Sequence, residues 1–256
     1  MSKLAAQDKF LDLSDYGRTF GRIFALQLKN TRFTPIHVTL LFGISGLFAI
    51  YCILYNHYVW AAFFIILKSI IDAADGELAR LKKTPSYSGR YLDSIFDIFL
   101  NFGFLMAICY VSSTSFWFTI IAFFAIQLQG TLYNYYYVIL RTKSVGGDAT
   151  SKIFEYKTPK ALPGESQQLV NILFRIYTIV YGTFDKIIHS LDPNAYKVKT
   201  FPNWFMTLLS AYGLGFQLLI IAIMLPLGWI EWIVPFFIVY SVFILVLIGI
   251  RKTIIK

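Results

Sequence analysis

The chain has 256 residues, of which 57% are apolar and only 14% charged, and its mean hydropathy is +0.62. These values exclude an ordinary soluble domain and predict one membrane-embedded domain over residues 1–256. The net charge of +9 does not indicate nucleic acid as a partner, because basic residues also collect beside anionic lipid headgroups and no nucleic-acid-binding motif is present.

The first predicted element is an N-terminal amphipathic segment, residues 1–34. Between residues 8 and 32, apolar residues alternate with lysine and arginine at near-helical spacing. This pattern predicts an interfacial helix lying on the membrane surface, with a solvated arm as the alternative.

Residues 35–256 are predicted to form a bundle of six transmembrane helices, which makes the fold all-α. Each apolar segment is long enough to cross a bilayer. The six segments cover residues 37–55, 59–80, 90–111, 116–140, 204–227 and 229–250. Lysine and arginine flank alternate ends of these segments, which predicts that both termini are cytoplasmic.

A long cytoplasmic loop is predicted over residues 141–200, where glycine, proline and lysine interrupt the apolar pattern. Within it, residues 168–191 are apolar enough for a helix but also carry charged side chains. This segment is either interfacial, packed on the bundle, or a seventh span.

The second and third spans carry carboxylates that a simple membrane anchor would not have. Asp72 and Asp75 are three residues apart, and Asp93 and Asp97 are four apart, so each pair lies on one helix face. The short connection between the spans makes them antiparallel neighbours whose acidic faces can meet. Because converging carboxylates repel each other, the sequence predicts that they bind a divalent metal such as Mg²⁺, Mn²⁺ or Ca²⁺ on the cytoplasmic side.

Small and basic residues accompany these carboxylates. Gly76 and Gly89 lack side chains where a bulky ligand would approach the backbone, and Ala79 keeps the same face open. The guanidinium of Arg80 suits a bidentate contact to phosphate. Glu77 lies off this face and is predicted to be solvated.

Together these residues form a pattern that resembles, at every position, the signature of the CDP-alcohol phosphotransferase family. The pattern is Asp72-x2-Asp75-Gly76-x2-Ala79-Arg80-x8-Gly89-x3-Asp93-x3-Asp97. The resemblance implies transfer of a substituted phosphate group from a CDP-linked donor to an acceptor alcohol, with release of CMP. It also implies two Mg²⁺ or Mn²⁺ ions, a homodimer and a role in membrane phospholipid synthesis.

The resemblance further implies a role for each motif residue. The metal ligands would be Asp72, Asp75, Asp93 and Asp97. Asp97 would also act as the general base that takes the proton from the acceptor hydroxyl. The residues lining the site for the CDP moiety would be Gly76, Ala79, Arg80, Ser86 and Gly89.

The donor is left between two branches of the family. Ser94 follows the third aspartate, as in enzymes that use CDP-diacylglycerol, whereas the choline and ethanolamine enzymes typically have histidine there. The favoured donor is therefore CDP-diacylglycerol. The alternative is a CDP-choline or CDP-ethanolamine phosphotransferase that acts on diacylglycerol or another lipid alcohol.

Three weaker signals lie outside the motif. His37 stands where the family often has an asparagine, and it either replaces that residue or is an interfacial histidine; Arg175 is a candidate phosphate contact. An aromatic belt or an acceptor pocket would explain a cluster of four tyrosines, Tyr133, Tyr135, Tyr136 and Tyr137.

Two other functional classes fit less well. A membrane prenyltransferase needs a second aspartate cluster, which the chain lacks. A cation transporter with acidic residues along its path would leave the glycines, Ala79 and Arg80 of the motif unexplained. The sequence leaves the acceptor alcohol open.

Overall fold

A computed structural model of the chain describes residues 4, 8–144, 155 and 157–255, and within them every regular element is helical. Parts of the predicted N-terminal segment and of the predicted loop 141–200 lie outside the described residues. The helices are α1 (Arg18–Leu28), α2 (Pro35–Leu54), α3 (Tyr58–Lys82), α4 (Tyr87–Ser112), α5 (Phe116–Lys143), α6 (Gln167–Leu191), α7 (Asn203–Ser210), α8 (Leu214–Met224), α9 (Ile230–Tyr240) and α10 (Phe243–Ile254).

Several of these helices are long and apolar enough to cross a membrane. Among the described residues these are α2, α4, α5 and the continuous stretch Ile230–Ile254; α7 and α8, bent by 47° at their junction, make a fifth if counted as one broken span. The protein is therefore a multi-pass integral membrane protein. Helix α3 is also long enough, but its second half carries too many charges to be identified as a span by composition.

A tight turn joins α3 to α4 and brings their acidic faces together. Lys83 adopts a left-handed conformation with φ of 55°, and the Thr84 amide donates to the carbonyl oxygen of Ala79 at 3.0 Å. This is a common way to end a helix. Ser86 then caps α4, because its hydroxyl accepts a hydrogen bond from the Gly89 amide at 2.8 Å.

Helix α1 packs against α3 directly behind the acidic face. A Cβ at Gly21 would lie 2.8 Å from the carbonyl oxygen of Ile70 and 3.0 Å from the amide of Ala74, so only glycine permits this approach. The opposite side of α1 exposes Phe20, Ile23 and Leu26. The helix thus supports the second half of α3 and leaves an apolar stripe uncovered.

Both ends of α6 contact the same end of the bundle. Glu165, just before α6, accepts a hydrogen bond from the Ser88 amide in the first turn of α4. Near the end of α6, His189 lies 3.3 Å from the hydroxyl of Tyr135, in the last third of α5. Because α4 begins at the end of the bundle where α5 finishes, these contacts favour a helix packed across this end over a seventh span.

A buried ion pair closes the same end of the bundle. The Asp192 side chain is 0% exposed and pairs with Arg251 of α10, while the Tyr136 hydroxyl donates to it at 2.6 Å. Tyr135 is buried beside it and donates to the Asp192 carbonyl oxygen. The aromatic-belt interpretation is therefore wrong for Tyr135 and Tyr136, which hold α5 to the end of α6 inside the protein.

Candidate active site

One cavity of about 730 Å³ contains all of the motif residues. This volume is in the range of sites for small molecules and cofactors. Its carboxylate side is lined by Asp72, Asp75, Asp93 and Asp97, and its remaining motif residues are Gly76, Ala79, Arg80, Ser86 and Gly89. Further lining residues come from the N-terminal segment and from α2, α5, α6 and α8. The antiparallel packing of α3 and α4 thus brings together every predicted site residue.

Three of the four aspartates converge closely enough to share a metal ion. One carboxylate oxygen from each of Asp72, Asp75 and Asp93 lies within 4.8 Å of the others. Among the described residues, the buried Oδ1 of Asp93 has no hydrogen-bond partner. Hard carboxylate oxygens with an unsatisfied member suit a divalent cation such as Mg²⁺ or Mn²⁺. The fourth, Asp97, lies beside this group rather than within it.

Asp97 and Asp72 are joined by a residue that the sequence reasoning missed. The ammonium of Lys68, only 1% exposed, donates to Oδ2 of Asp72 at 2.9 Å and also bonds Oδ1 of Asp97 across the helix pair. The nitrogen also lies 4.7 Å from the ring centroid of Phe42. Its position four residues before Asp72, on the same helix face, was the signal that could have identified it.

The charges of this cluster are only partly compensated. Lys68 offsets one of four carboxylates, and Asp75 accepts a neutral hydrogen bond from the Thr39 hydroxyl at 2.8 Å. Burying the remaining negative charge without a cation is unfavourable. The protein therefore has the ligands and the charge deficit that divalent cations would fill.

Arg80 is held over Gly76 by a buried glutamate. Glu77, 2% exposed, pairs with Arg80 at 2.9 Å and with Arg18 of α1 at 2.8 Å. The prediction that Glu77 is solvated was wrong, because helix-face reasoning on α3 alone could not include the arginine that α1 contributes. Glu77 fixes Arg80 at the cavity wall, where one guanidinium nitrogen lies 3.5 Å from the position that a Cβ on Gly76 would take.

Ser86 and Gly89 form the start of α4 and contact the chain segment before α6. The Ser86 hydroxyl donates to Glu165 Oε1 at 2.8 Å while it accepts from the Gly89 amide. Burial raises the pKa of the Glu165 carboxyl, but hydrogen bonds from the Ser88 backbone, Ser86 and the Leu162 backbone outweigh it, so that this pKa lies below its usual value of 4.5. This contact orients the helix end that faces the cavity.

Two weaker candidates lie away from the cavity. His37 completes a capping box with Thr34 at the start of α2 and is exposed. Thr39, two residues further, supplies the contact to Asp75. Arg175 is exposed on α6 and is not among the residues lining the cavity. Neither His37 nor Arg175 is brought to the carboxylates.

The far wall of the cavity contains residues outside the motif. Tyr177, Tyr181 and Asp185 come from α6, and Arg141 comes from the end of α5. The sequence alone assigned no role to Asp185, because α6 could not be placed against α4 from its residue pattern. Here the hydroxyl of Tyr181 donates to the Ser94 carbonyl oxygen at 2.9 Å and fixes that placement.

A helical membrane bundle with converging carboxylates and an arginine in one cavity has the features of an integral membrane enzyme that acts on phosphate groups. Comparison with known proteins makes this specific. The family model for CDP-alcohol phosphatidyltransferase matches residues 32–163, more than half of the chain, and the chain belongs to this family. The family assignment suggested by the motif is confirmed.

A curated relative shares part of the sequence. The CDP-diacylglycerol–serine O-phosphatidyltransferase of Saccharomyces cerevisiae is 31% identical over 129 residues, which covers 46% of this chain and 46% of the relative. The match therefore spans just under half of the length of that enzyme.

Proposed function

We propose that this protein transfers the phosphatidyl group of CDP-diacylglycerol to the hydroxyl of an acceptor alcohol and releases CMP, as a step of phospholipid synthesis. The observation that carries the proposal is the convergence of Asp72, Asp75 and Asp93 within 4.8 Å in a cavity that every other motif residue also lines. Membership of the family supports the reaction type.

The metal would be held by Asp72, Asp75 and Asp93, with Asp97 beside them. Bound Mg²⁺ or Mn²⁺, as a pair of ions, would neutralise the pyrophosphate of the donor. Arg80, oriented by Glu77, would contact the same phosphates. Gly76, Ala79 and Gly89, which line the cavity together with Ser86, would contact the cytidine diphosphate moiety.

Asp97 would act as the general base. It lines the cavity while Lys68 holds its Oδ1 and so limits its rotation. The acceptor hydroxyl gives its proton to Asp97, and its oxygen forms a bond to the β-phosphorus of the donor. The bond from that phosphorus to the bridging oxygen breaks, and CMP leaves with the electron pair.

The choice of donor is supported by two observations. Ser94 follows Asp93, as the sequence pattern of CDP-diacylglycerol enzymes would have it. The yeast relative is also named for this donor, with serine as its acceptor. Transfer from CDP-choline or CDP-ethanolamine has no comparable support, and serine is a candidate acceptor here.

We further propose six spans in one domain, with α3 as the second and the α7–α8 pair as the fifth. This arrangement places both termini and the cavity on the cytoplasmic side, where the basic loop residues lie. The exposed Phe20, Ile23 and Leu26 of α1 would enter the lipid interface. The homodimer implied by the family resemblance stays a prediction.

Release of CMP from CDP-diacylglycerol tests the function directly. Purified protein in lipid micelles should release CMP only when Mg²⁺ or Mn²⁺ is present. Asp97→Asn should lower kcat by about 10²–10⁴-fold, because a general base contributes about that much. Glu231→Gln, an exposed substitution in the first turn of α9, is the matched control. Near-wild-type turnover of Asp97→Asn would remove Asp97 from its role, and no CMP from any CDP-linked donor would refute the function.

A further inference from the structure

A carboxylate on α6, that of Asp185, lines the same cavity as the motif aspartates of α4. Tyr181 bonds the carbonyl oxygen of Ser94, which lies between Asp93 and Asp97 in the sequence. Asp185 is four residues after Tyr181, on the same face of α6, and it lines the same cavity. The contact between α6 and α4 therefore brings Asp185 to the cavity that also contains Asp97, the proposed general base.

Asp185 differs from the other acidic residues outside the motif that line the cavity. Asp12 accepts hydrogen bonds from Ser14 and Tyr133, and Asp15 pairs with Arg18. No described residue donates a hydrogen bond to the Asp185 carboxylate or forms an ion pair with it. A half-buried carboxylate without a cationic partner is unfavourable unless a ligand supplies one. Its position is also beyond residues 32–163, the region matched by the family model.

Two aromatic rings stand beside this carboxylate on the same helix. Tyr177 and Tyr181 are stacked, with ring centroids 5.1 Å apart and planes 25° apart, and both line the cavity. A carboxylate near tyrosine rings is a combination that recognises an ammonium group through charge and cation–π attraction. An uncharged polyol would leave the charge of Asp185 unpaired, and a phosphorylated alcohol would add a repulsive charge.

We propose that Asp185, together with Tyr177 and Tyr181, binds the ammonium group of an amino-alcohol acceptor whose hydroxyl faces Asp97. This inference rests on the proposed function and specifies the acceptor class for it. Asp185 is thereby a specificity-determining residue. It lies outside the family motif and selects the acceptor alcohol by the charge of that alcohol.

The first experiment compares acceptors with the wild-type chain. Purified full-length protein in micelles receives CDP-diacylglycerol, Mn²⁺ and one of five acceptors that differ in charge. Ethanolamine carries an ammonium group alone, serine carries an ammonium and a carboxylate group, glycerol and inositol are uncharged, and glycerol 3-phosphate is anionic. Only the two amino alcohols should support rapid CMP release with formation of a new phospholipid.

The second experiment changes the carboxylate. Asp185→Asn should raise the KM for the preferred amino alcohol about ten- to a hundredfold, the usual effect of losing a hydrogen bond to a charged group. The kcat, the KM for CDP-diacylglycerol and the response to Mn²⁺ should change little. Asp185→Glu should restore part of the affinity, and Glu231→Gln should leave every constant unchanged.

The outcomes separate this inference from the function on which it rests. Preference for an uncharged or anionic acceptor would overturn the role of Asp185 while CMP release upheld the function. A weaker response of Asp185→Asn to Mn²⁺, with an unchanged acceptor KM, would assign Asp185 to the metal and overturn the proposal. Absence of CMP with every donor would reject the function itself. If Asp185→Asn does not fold, the acceptor preference of the wild type and the acceptor KM of Asp185→Glu still test the proposal.

Discussion

Asp192 and the four aspartates of the cavity are all carboxylates inside one helical bundle, but their surroundings differ. Asp192 has Arg251 and the hydroxyl of Tyr136 as partners, so its charge is compensated within the protein. The cavity aspartates share a single cation, Lys68, and Asp93 keeps a buried oxygen without a partner among the described residues. The first arrangement stabilises the fold, whereas the second keeps binding capacity for a ligand.

The largest expected effect comes from removing a metal ligand. Asp93→Asn should lower turnover by more than about 100-fold, because even residues that only support metal ligands contribute about 10- to 100-fold. Added Mg²⁺ should raise the melting temperature of the wild type but not of the variant, since binding stabilises the folded state. The metal-free variant should be at least as stable as the wild type, because repulsion falls. An unchanged Mg²⁺ response in thermal unfolding would contradict the metal site.

The opposite result is expected at the compensated acid. Asp192→Ala leaves Arg251 buried without its partner and should lower the free energy of unfolding by about 3–5 kcal/mol. Denaturant unfolding in detergent measures this loss, while CMP release per folded molecule should stay near the wild-type value. Glu231→Ala, at an exposed acid, controls for the loss of a carboxylate. A stable variant with low turnover would place Asp192 in the active site instead.

Lys68 is intermediate between these two arrangements, because it is the cation that partly compensates the negative charge of the cavity aspartates. Lys68→Met should lower kcat about 10- to 100-fold, as for other residues that orient a reactive group. It should also lower the melting temperature without metal, and Mg²⁺ should recover more stability than in the wild type. Lys68→Arg should restore part of both, and the exposed Lys186→Met should change neither. Wild-type kcat in Lys68→Met would show that Lys68 does not position Asp97.

The smallest effect concerns the start of α4. The pKa of Glu165 is lower in the folded state than its usual value of 4.5. The Glu165 carboxylate therefore stabilises the fold at pH values above 4.5, and this stabilisation is lost as the pH falls through the folded-state pKa. Glu165→Gln should therefore be slightly less stable than the wild type at neutral pH. The difference should shrink below about pH 4.5, in melting temperatures measured across that range. A difference that is constant with pH would exclude an ionic contribution.

Much of the site could be predicted because its residues are local in sequence. Asp72 with Asp75, and Asp93 with Asp97, repeat at helical spacing on two helices joined by a short turn. The spacing itself places each pair on one face, and the turn forces the faces together. Residues whose partners come from distant segments could not be assigned in this way. Glu77 was expected in solvent because Arg18 comes from α1.

The sequence by itself determined the membrane character of the chain, its all-helical class and the acidic motif, since hydropathy and helical periodicity depend only on neighbouring residues. The tertiary structure alone decided that α6 packs against α4 with Asp185 lining the cavity, and that Lys68 joins Asp72 to Asp97. It also decided which buried acids are compensated. Charge compensation depends on distances between segments far apart in the chain, and the local pattern carries no information about them.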